Sequence, residues 1–139
     1  MKSVVIIQAR TNSTRLPGKV LLPISSIPIV VLAAKRAANT KKEVIVVTSN
    51  EETDDALCLE LKKNIINYFR GDLNNVLKRF TSSLEDLDED TIVFRLTADN
   101  IFPDGSLLDK LEQEFIKYKY KYLVCNGINS GLPYGVSVE

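Results

Sequence analysis

The chain has 139 residues, with 18 Lys or Arg against 18 Asp or Glu and no His, a length that suits one domain spanning residues 1–139 with a sizeable core. Apolar residues at 45% and charged residues at 26% are ordinary for a globular protein, and no apolar run reaches the roughly 18 residues that a membrane-spanning helix needs. The absence of His and the presence of only two Cys exclude a zinc site and an imidazole base, so any metal here is expected to be hard and oxygen-bound.

The zero net charge conceals an asymmetry: residues 1–42 hold eight Lys or Arg and no Asp or Glu, while every acid lies from Glu43 onward. The cations are not interleaved with aromatics along one stripe, which argues against nucleic acid and for a compact anion. Cys58 and Cys125 sit in apolar-periodic segments and read as reduced, buried thiols. Lys2 leads straight into strand-like sequence with no signal-peptide cleavage site, the pattern of a cytoplasmic protein with no membrane partner.

In chain order, residues 3–7 read as a first, fully buried strand, followed by a basic loop over 8–19 and an apolar connector over 20–24. Pro28 suits the first turn of a helix running through Val30, Val31, Leu32, Ala34 and Ala38. Residues 43–47 form a second strand, stopped by Thr48-Ser49-Asn50. Glu51, Glu52, Asp54 and Asp55 open the next helix and Lys62 and Lys63 close it, an arrangement that complements the helix dipole and needs no other role. A third strand over 65–69 ends in Arg70-Gly71-Asp72. Asp72 then reads as the N-cap of a helix whose apolar positions are Leu73, Val76, Leu77, Phe80, Leu84 and Leu87.

A fourth strand over 91–96 runs into Thr97-Ala98-Asp99-Asn100. Asp104 caps a helix with Leu107, Leu108, Leu111 and Phe115 on its apolar face, and residues 118–126 lead into a fifth strand. Gly131-Leu132-Pro133 makes a turn, and residues 134–139 start another extended piece. Strands alternating with helices of this length predict an α/β fold: a three-layer, mostly parallel twisted sheet with helices on both faces. Ligands bind beyond the carboxyl ends of such strands, which is where Arg10 to Lys19, Thr48, Arg70 and Asp99 fall.

The loop reads Gln8-Ala9-Arg10-Thr11-Asn12-Ser13-Thr14-Arg15-Leu16-Pro17-Gly18-Lys19. Two guanidinium groups able to grip phosphate oxygens bidentately, an ammonium and loop N–H groups suit a polyphosphate, although neither G-x-x-x-x-G-K-[ST] nor G-x-G-x-x-G is present. Asp99 reads either as a turn residue or as a Mg²⁺ ligand, since that ion takes one or two carboxylates and completes its shell with phosphates and water.

The string R-x-x-S-T-R-L-P-G-K resembles the signature of the cytidylyltransferases that activate sugars and sugar acids, especially the spore-coat polysaccharide biosynthesis cytidylyltransferases and 3-deoxy-manno-octulosonate cytidylyltransferase. Arg95-Leu96-Thr97-Ala98-Asp99 is similar to that family's R-[IV]-T-G-D segment, with Ala98 adding a Cβ where Gly is usual. Phe69-Arg70-Gly71-Asp72 with Val76-Leu77 is similar to its R-G-x-x-x-x-V-L segment. Residues 133–139 resemble P-x-G-x-D-x-E, with Ser137 in place of the acid.

The resemblance implies the Rossmann-like nucleotide-diphospho-sugar transferase fold, shortened at the C-terminus. It implies transfer of CMP from CTP to a sugar or sugar acid in surface polysaccharide biosynthesis, with Mg²⁺ on Asp99, and pairing of two copies as a homodimer. Arg15, Lys19 and Asp99 would carry the chemistry. Gln8, Ala9, Arg10, Ser13, Arg15, Lys19, Thr48, Arg70 and Thr97 would bind the nucleotide, with a surface ion pair as the other reading of Arg70. Ala98, Ser137 and the early stop leave two alternatives: a nucleotide-binding module without turnover, or a transferase of the same fold that uses another nucleotide.

Overall fold

Short runs of β-branched residues ending in polar clusters are what a parallel sheet requires, because its inner strands are buried on both faces. In the computed structural model, which describes residues 1–125, 131 and 137–139, these runs become β1 (Ser3–Gln8), β4 (Glu43–Ser49), β5 (Asn67–Gly71) and β6 (Ile92–Thr97). They form one parallel four-stranded sheet in the order β5-β4-β1-β6. Val4, Val5, Ile6 and Ile7 of the inner strand β1 are fully buried.

Between the strands lie a small hairpin of β2 (Pro23–Ile24) and β3 (Ile27–Pro28), then α1 (Ile29–Ala37), α2 (Asp55–Lys63), α3 (Val76–Ser82) and, after β6, α4 (Gly105–Lys117). The register puts Val5 beside Val44 and Phe94, and Ile7 beside Val46 and Leu96, all on one face. That face shares a core with Val30 and Val31 of α1, Leu57 and Leu61 of α2 and Leu108 of α4. Arg95, of opposite parity on β6, instead lies against the Phe80 ring of α3, 5.6 Å from its centroid. Helices thus cover both faces.

The strand order explains why. From β1 the chain steps outward through β4 to β5, and α3 then carries it back to β6 on the other side of β1. A right-handed crossover in the reverse direction must use the opposite face. The crossover that leaves β1 and the one that enters β6 therefore lie on opposite faces of the sheet, and these two neighbours flank a crevice at their carboxyl ends. Asp104 caps α4 as expected, accepting from the Leu107 N–H at 3.0 Å. Lys42 ties α4 to the sheet through Asp109 at 2.9 Å, Glu112 and Ser3.

Several local expectations need correction. Asn75, not Asp72, caps α3, accepting from the Lys78 N–H at 2.9 Å. Asp72 instead closes the preceding turn by accepting from Asn74 and Asn75. The connector over 20–24 contains a 3₁₀ turn (Lys19–Leu21) and then the first strand of the hairpin. Residues 118–124 form no strand; Cys125 makes a single antiparallel bridge to Val138, and Asn126 lies outside the described residues. Of the expected turn and last extended piece, Leu132, Pro133 and residues 134–136 also lie outside them, whereas Glu139 exchanges backbone bonds with Arg95.

The third strand starts later than expected because Ile65 belongs to the end of α2. The Ile66 N–H returns to the Leu61 carbonyl and the Ile65 N–H to that of Lys62, which forces Ile65 to φ 57°. A β-branched residue is poorly suited to this conformation, and Ile65 recovers nothing by packing, since it is 94% exposed. Ile65→Gly is expected to stabilise the protein by about 1 kcal/mol, seen as a rise of about 3 °C in the thermal midpoint.

Candidate functional site

The crevice begins where the sheet's hydrogen-bond ladders stop. The Ala9 N–H donates to Val47 and the Ala98 N–H to Gln8, and beyond these bonds the β1 and β6 chains separate. From there the basic loop folds back on itself, with the N–H groups of Ser13 and Gly18 both donating to the Thr11 carbonyl, at 3.0 and 2.7 Å. Gly18 sits at φ 71° at the return of the loop, a conformation that favours glycine and lets the 3₁₀ turn at Lys19 start.

The resulting crevice has a volume of about 610 Å³, within the range of small-ligand sites. Gln8, Ala9, Arg10, Ser13, Arg15 and Lys19 line one wall, and Thr97 and Asp99 the other. Eight of the residues expected at a site are thus together. Asn12, Thr14, Val20, Leu73, Asn74 and Ala98 complete the lining. A second cleft of about 670 Å³ lies against Ile92, Phe115 and Leu123, and none of the expected site residues lines it.

Across the crevice, Lys19 Nζ donates to Asp99 Oδ2 at 2.6 Å, joining residues 80 positions apart. This ammonium, helped by the Thr97 hydroxyl, holds the Asp99 carboxyl below its usual range against the opposing effect of desolvation. Asp99 is the one carboxylate among the described residues that line the crevice, facing Arg10, Arg15 and Lys19. Such a site can take a polyanion on its cationic wall and a hard cation on its carboxylate, with the anion's oxygens completing the cation's shell.

Thr48 and Arg70 are not with these residues. Thr48 is fully buried and its hydroxyl donates to Asp54 Oδ2 at 2.9 Å. Arg70 is spent on structure: Nε donates to the Ser49 carbonyl, Nη2 to that of Glu51, and Nη1 pairs with Asp55 at 2.7 Å. The ion-pair reading of Arg70 therefore describes its contacts.

The residue that organises this region is Asp54, which the sequence presented as one acid among four at a helix start. It is 1% exposed. Its carboxylate accepts from the Thr11 N–H and hydroxyl at 2.8 and 2.7 Å, the Thr48 hydroxyl, and the Ser49 N–H and hydroxyl. The neck of the basic loop and the end of β4 are thereby tied to one anion. The only sequence signal was its place just after a Thr-Ser strand end, where hydroxyl donors collect.

Ala98 does not disturb the backbone. It keeps an ordinary negative φ, and its methyl group is buried in the core. Ser137 is exposed, and its carbonyl accepts from Asn100 Nδ2 at 3.0 Å, which sets residue 137 beside the residue that follows Asp99.

Comparison with known proteins places the chain in a family. The cytidylyltransferase family matches residues 4–132. The spore coat polysaccharide biosynthesis protein SpsF of Bacillus subtilis is 41% identical over 114 residues, 78% of this chain and 47% of that protein. A cytidylyltransferase from Leptospira borgpetersenii superposes with a TM-score of 0.77 at 32% identity, over 89% of this chain and 52% of its own. CMP:2-keto-3-deoxy-manno-octonic acid synthetase, solved with CTP, superposes with a TM-score of 0.72 at 22% identity, over 89% and 51%, a likeness of fold. The chain spans about half the length of these relatives. Matched from residue 4 to residue 132 by sequence and over most of its length by fold, the chain belongs to the cytidylyltransferase family.

Proposed function

We propose that the crevice between β1 and β6 binds Mg²⁺–CTP and that the chain is a nucleotidyltransferase, passing CMP to a hydroxyl of a sugar or sugar acid in surface polysaccharide biosynthesis. The single observation that supports this most is the Lys19–Asp99 contact, which sets an ammonium and a carboxylate at the mouth of an arginine-bearing loop. In the reaction the acceptor oxygen bonds to the α-phosphorus, the bond from that phosphorus to the β-phosphate oxygen breaks, and the hydroxyl proton is released. Arg10, Arg15 and Lys19 hold the phosphates and meet the charge that builds on the departing pyrophosphate, the largest contribution a protein makes to this kind of transfer. The loop N–H groups not bonded within the fold, with the Gln8 amide and the Ser13 hydroxyl, take the remaining oxygens, and Ala9 lines the crevice beside them.

Asp99 would hold the Mg²⁺, with phosphate and water oxygens filling its shell, and the ion would supply further neutralisation of phosphate charge. The single carboxylate among the described residues that line the crevice fits that sharing of ligands. The chain has no His, so the proton is not taken by an imidazole. A cytoplasmic location, where nucleoside triphosphates are made, and pairing of two copies belong to the same reading.

The test is a thermal-shift series with Mg²⁺ and CTP, UTP, GTP or ATP, followed by pyrophosphate release with CTP and sugar-acid acceptors. CTP is expected to raise the midpoint most, and release is expected only with both substrates. No shift with any nucleotide would overturn the reading, and a larger shift with another nucleotide would change the donor. A second reading, a nucleotide-binding module without turnover, is favoured by the uncharged Ser137 near Asp99. It expects the CTP shift without pyrophosphate release.

A further inference from the structure

Arg79, on α3, is 1% exposed. Its Nη1 donates to the carbonyls of Asp72 and Leu73, at 2.6 and 3.2 Å, and its Nε and Nη2 are buried with no hydrogen-bond partner. Among the described residues no carboxylate lies within ion-pair distance of it. The nearby charges are Asp54, Asp72 and another cation, Arg10. Burial pushes the guanidinium below its ordinary value, and Arg10 adds to that.

This is an expensive way to secure a turn. A neutral donor would serve the two carbonyls, whereas a desolvated, under-paired cation beside a second cation weakens the fold that contains it. Its position accounts for the expense. The carbonyls that Arg79 holds belong to the segment whose Leu73 and Asn74 line the crevice. Its β- and γ-carbons pack where a Gly71 Cβ would lie, at 3.2 and 2.8 Å, so only glycine there lets the side chain pass beneath the segment.

We propose that Arg79 is a positioning residue for the polyphosphate: a buried cation that fixes the Asp72–Leu73 turn at the crevice and adds its positive charge to that of Arg10 in attracting the anion. The proposal rests on the polyphosphate-binding reading and deepens it. Arg79 then acts on the anion through the turn that it holds and through its charge, without touching the anion.

The test compares wild-type, Arg79→Met and Arg79→Lys by calorimetric titration with Mg²⁺–CTP and with metal-free inorganic tripolyphosphate, at about 50 and about 300 mM KCl. Thermal midpoints are taken without ligand. The expected result is that Arg79→Met unfolds no earlier than wild-type, binds both anions about tenfold or more weakly, and loses part of the salt dependence of binding. Arg79→Lys, which keeps the charge and loses the fork, is expected to regain that salt dependence. The proposal is overturned if Arg79→Met binds both anions within about twofold of wild-type. It is equally overturned if weaker binding comes with a lowered midpoint and unchanged salt dependence, the mark of a purely structural clamp. Wild-type protein that binds tripolyphosphate in an Arg79-dependent way but not CTP would sink the CTP reading and leave this one standing. Wild-type that binds neither sinks both.

Discussion

Asp54→Ala is expected to lower the unfolding free energy by about 4 kcal/mol, a large part of the roughly 5–15 kcal/mol available to a domain of this kind. The truncation strands two backbone N–H groups and three hydroxyls that now converge on one buried carboxylate. The hydroxyls can turn elsewhere, but the N–H groups of Thr11 and Ser49 cannot. Loss of the anchor also frees the neck of the basic loop, so nucleotide affinity should fall even where the variant is folded. Urea titration followed by circular dichroism measures the effect. A change below about 1 kcal/mol would show that these bonds contribute no net stability.

The same group sets an acid limit. Burial opposes ionisation of Asp54, but hydrogen bonds from Ser49, Thr11 and Thr48 outweigh it and hold the carboxyl below its ordinary value. The folded state therefore binds this proton less readily than the unfolded state. The stabilisation is complete above the unfolded value of about 3.9 and is lost as pH falls from there through the lower native value. Urea midpoints between pH 7 and pH 3 should drop over the acid end of that range in the wild type, and the drop should be shallower in Asp54→Asn. A variant with the same acid profile as wild type would assign the loss to other carboxylates.

Lys19→Ala is expected to reduce kcat/KM for CMP transfer about a hundred- to a thousandfold, the usual consequence of removing one group that meets developing charge. Stability should move by less than about 0.5 kcal/mol, because the Lys19–Asp99 bridge is partly exposed, with side chains at 34% and 47%, and such bridges contribute little to folding. The variant also removes the ammonium that holds the Asp99 carboxyl down, so that carboxyl should titrate closer to its ordinary value, a shift that NMR of the side chain would read. Arg15→Ala and Asp99→Asn should lose transfer in the same stability-neutral way. Activity within about threefold of wild type in Lys19→Ala would remove the lysine from the chemistry. The two sets of variants thus fail differently: Asp54 through the fold, Lys19 through the reaction.

How far the sequence could be read differs from element to element. The alternation of β-branched runs with apolar-periodic segments located the long strands and helices of the described residues, and Asp104 is identifiable as a cap because capping is decided within a few residues. Ile65 was misplaced in a strand because a β-branched residue favours one, while the backbone bonds ending α2 overrode that preference. Asp72 and Asn75 are both good caps, and the choice between them depended on where Arg79 and Gly71 let the segment turn. Thr48 and Arg70 stand at strand ends, as site residues should, yet a buried carboxylate and neighbouring carbonyls claim them first. Asp54 itself was hidden among acids whose helix-dipole role was a sufficient local explanation.

What the amino-acid sequence determined by itself is the local grammar: parallel-sheet strands, their helices, a loop of guanidinium and ammonium groups after the first strand, and a carboxylate after the last long one. What only the tertiary structure decided is which polar end meets which. The contact of Lys19 with Asp99 exists because the chain reverses direction after β5 and returns to the free side of β1, which places two remote loops on adjacent strand ends. Periodicity and capping act over one or two turns of chain, whereas that reversal is settled by the packing of whole helices on a twisted sheet.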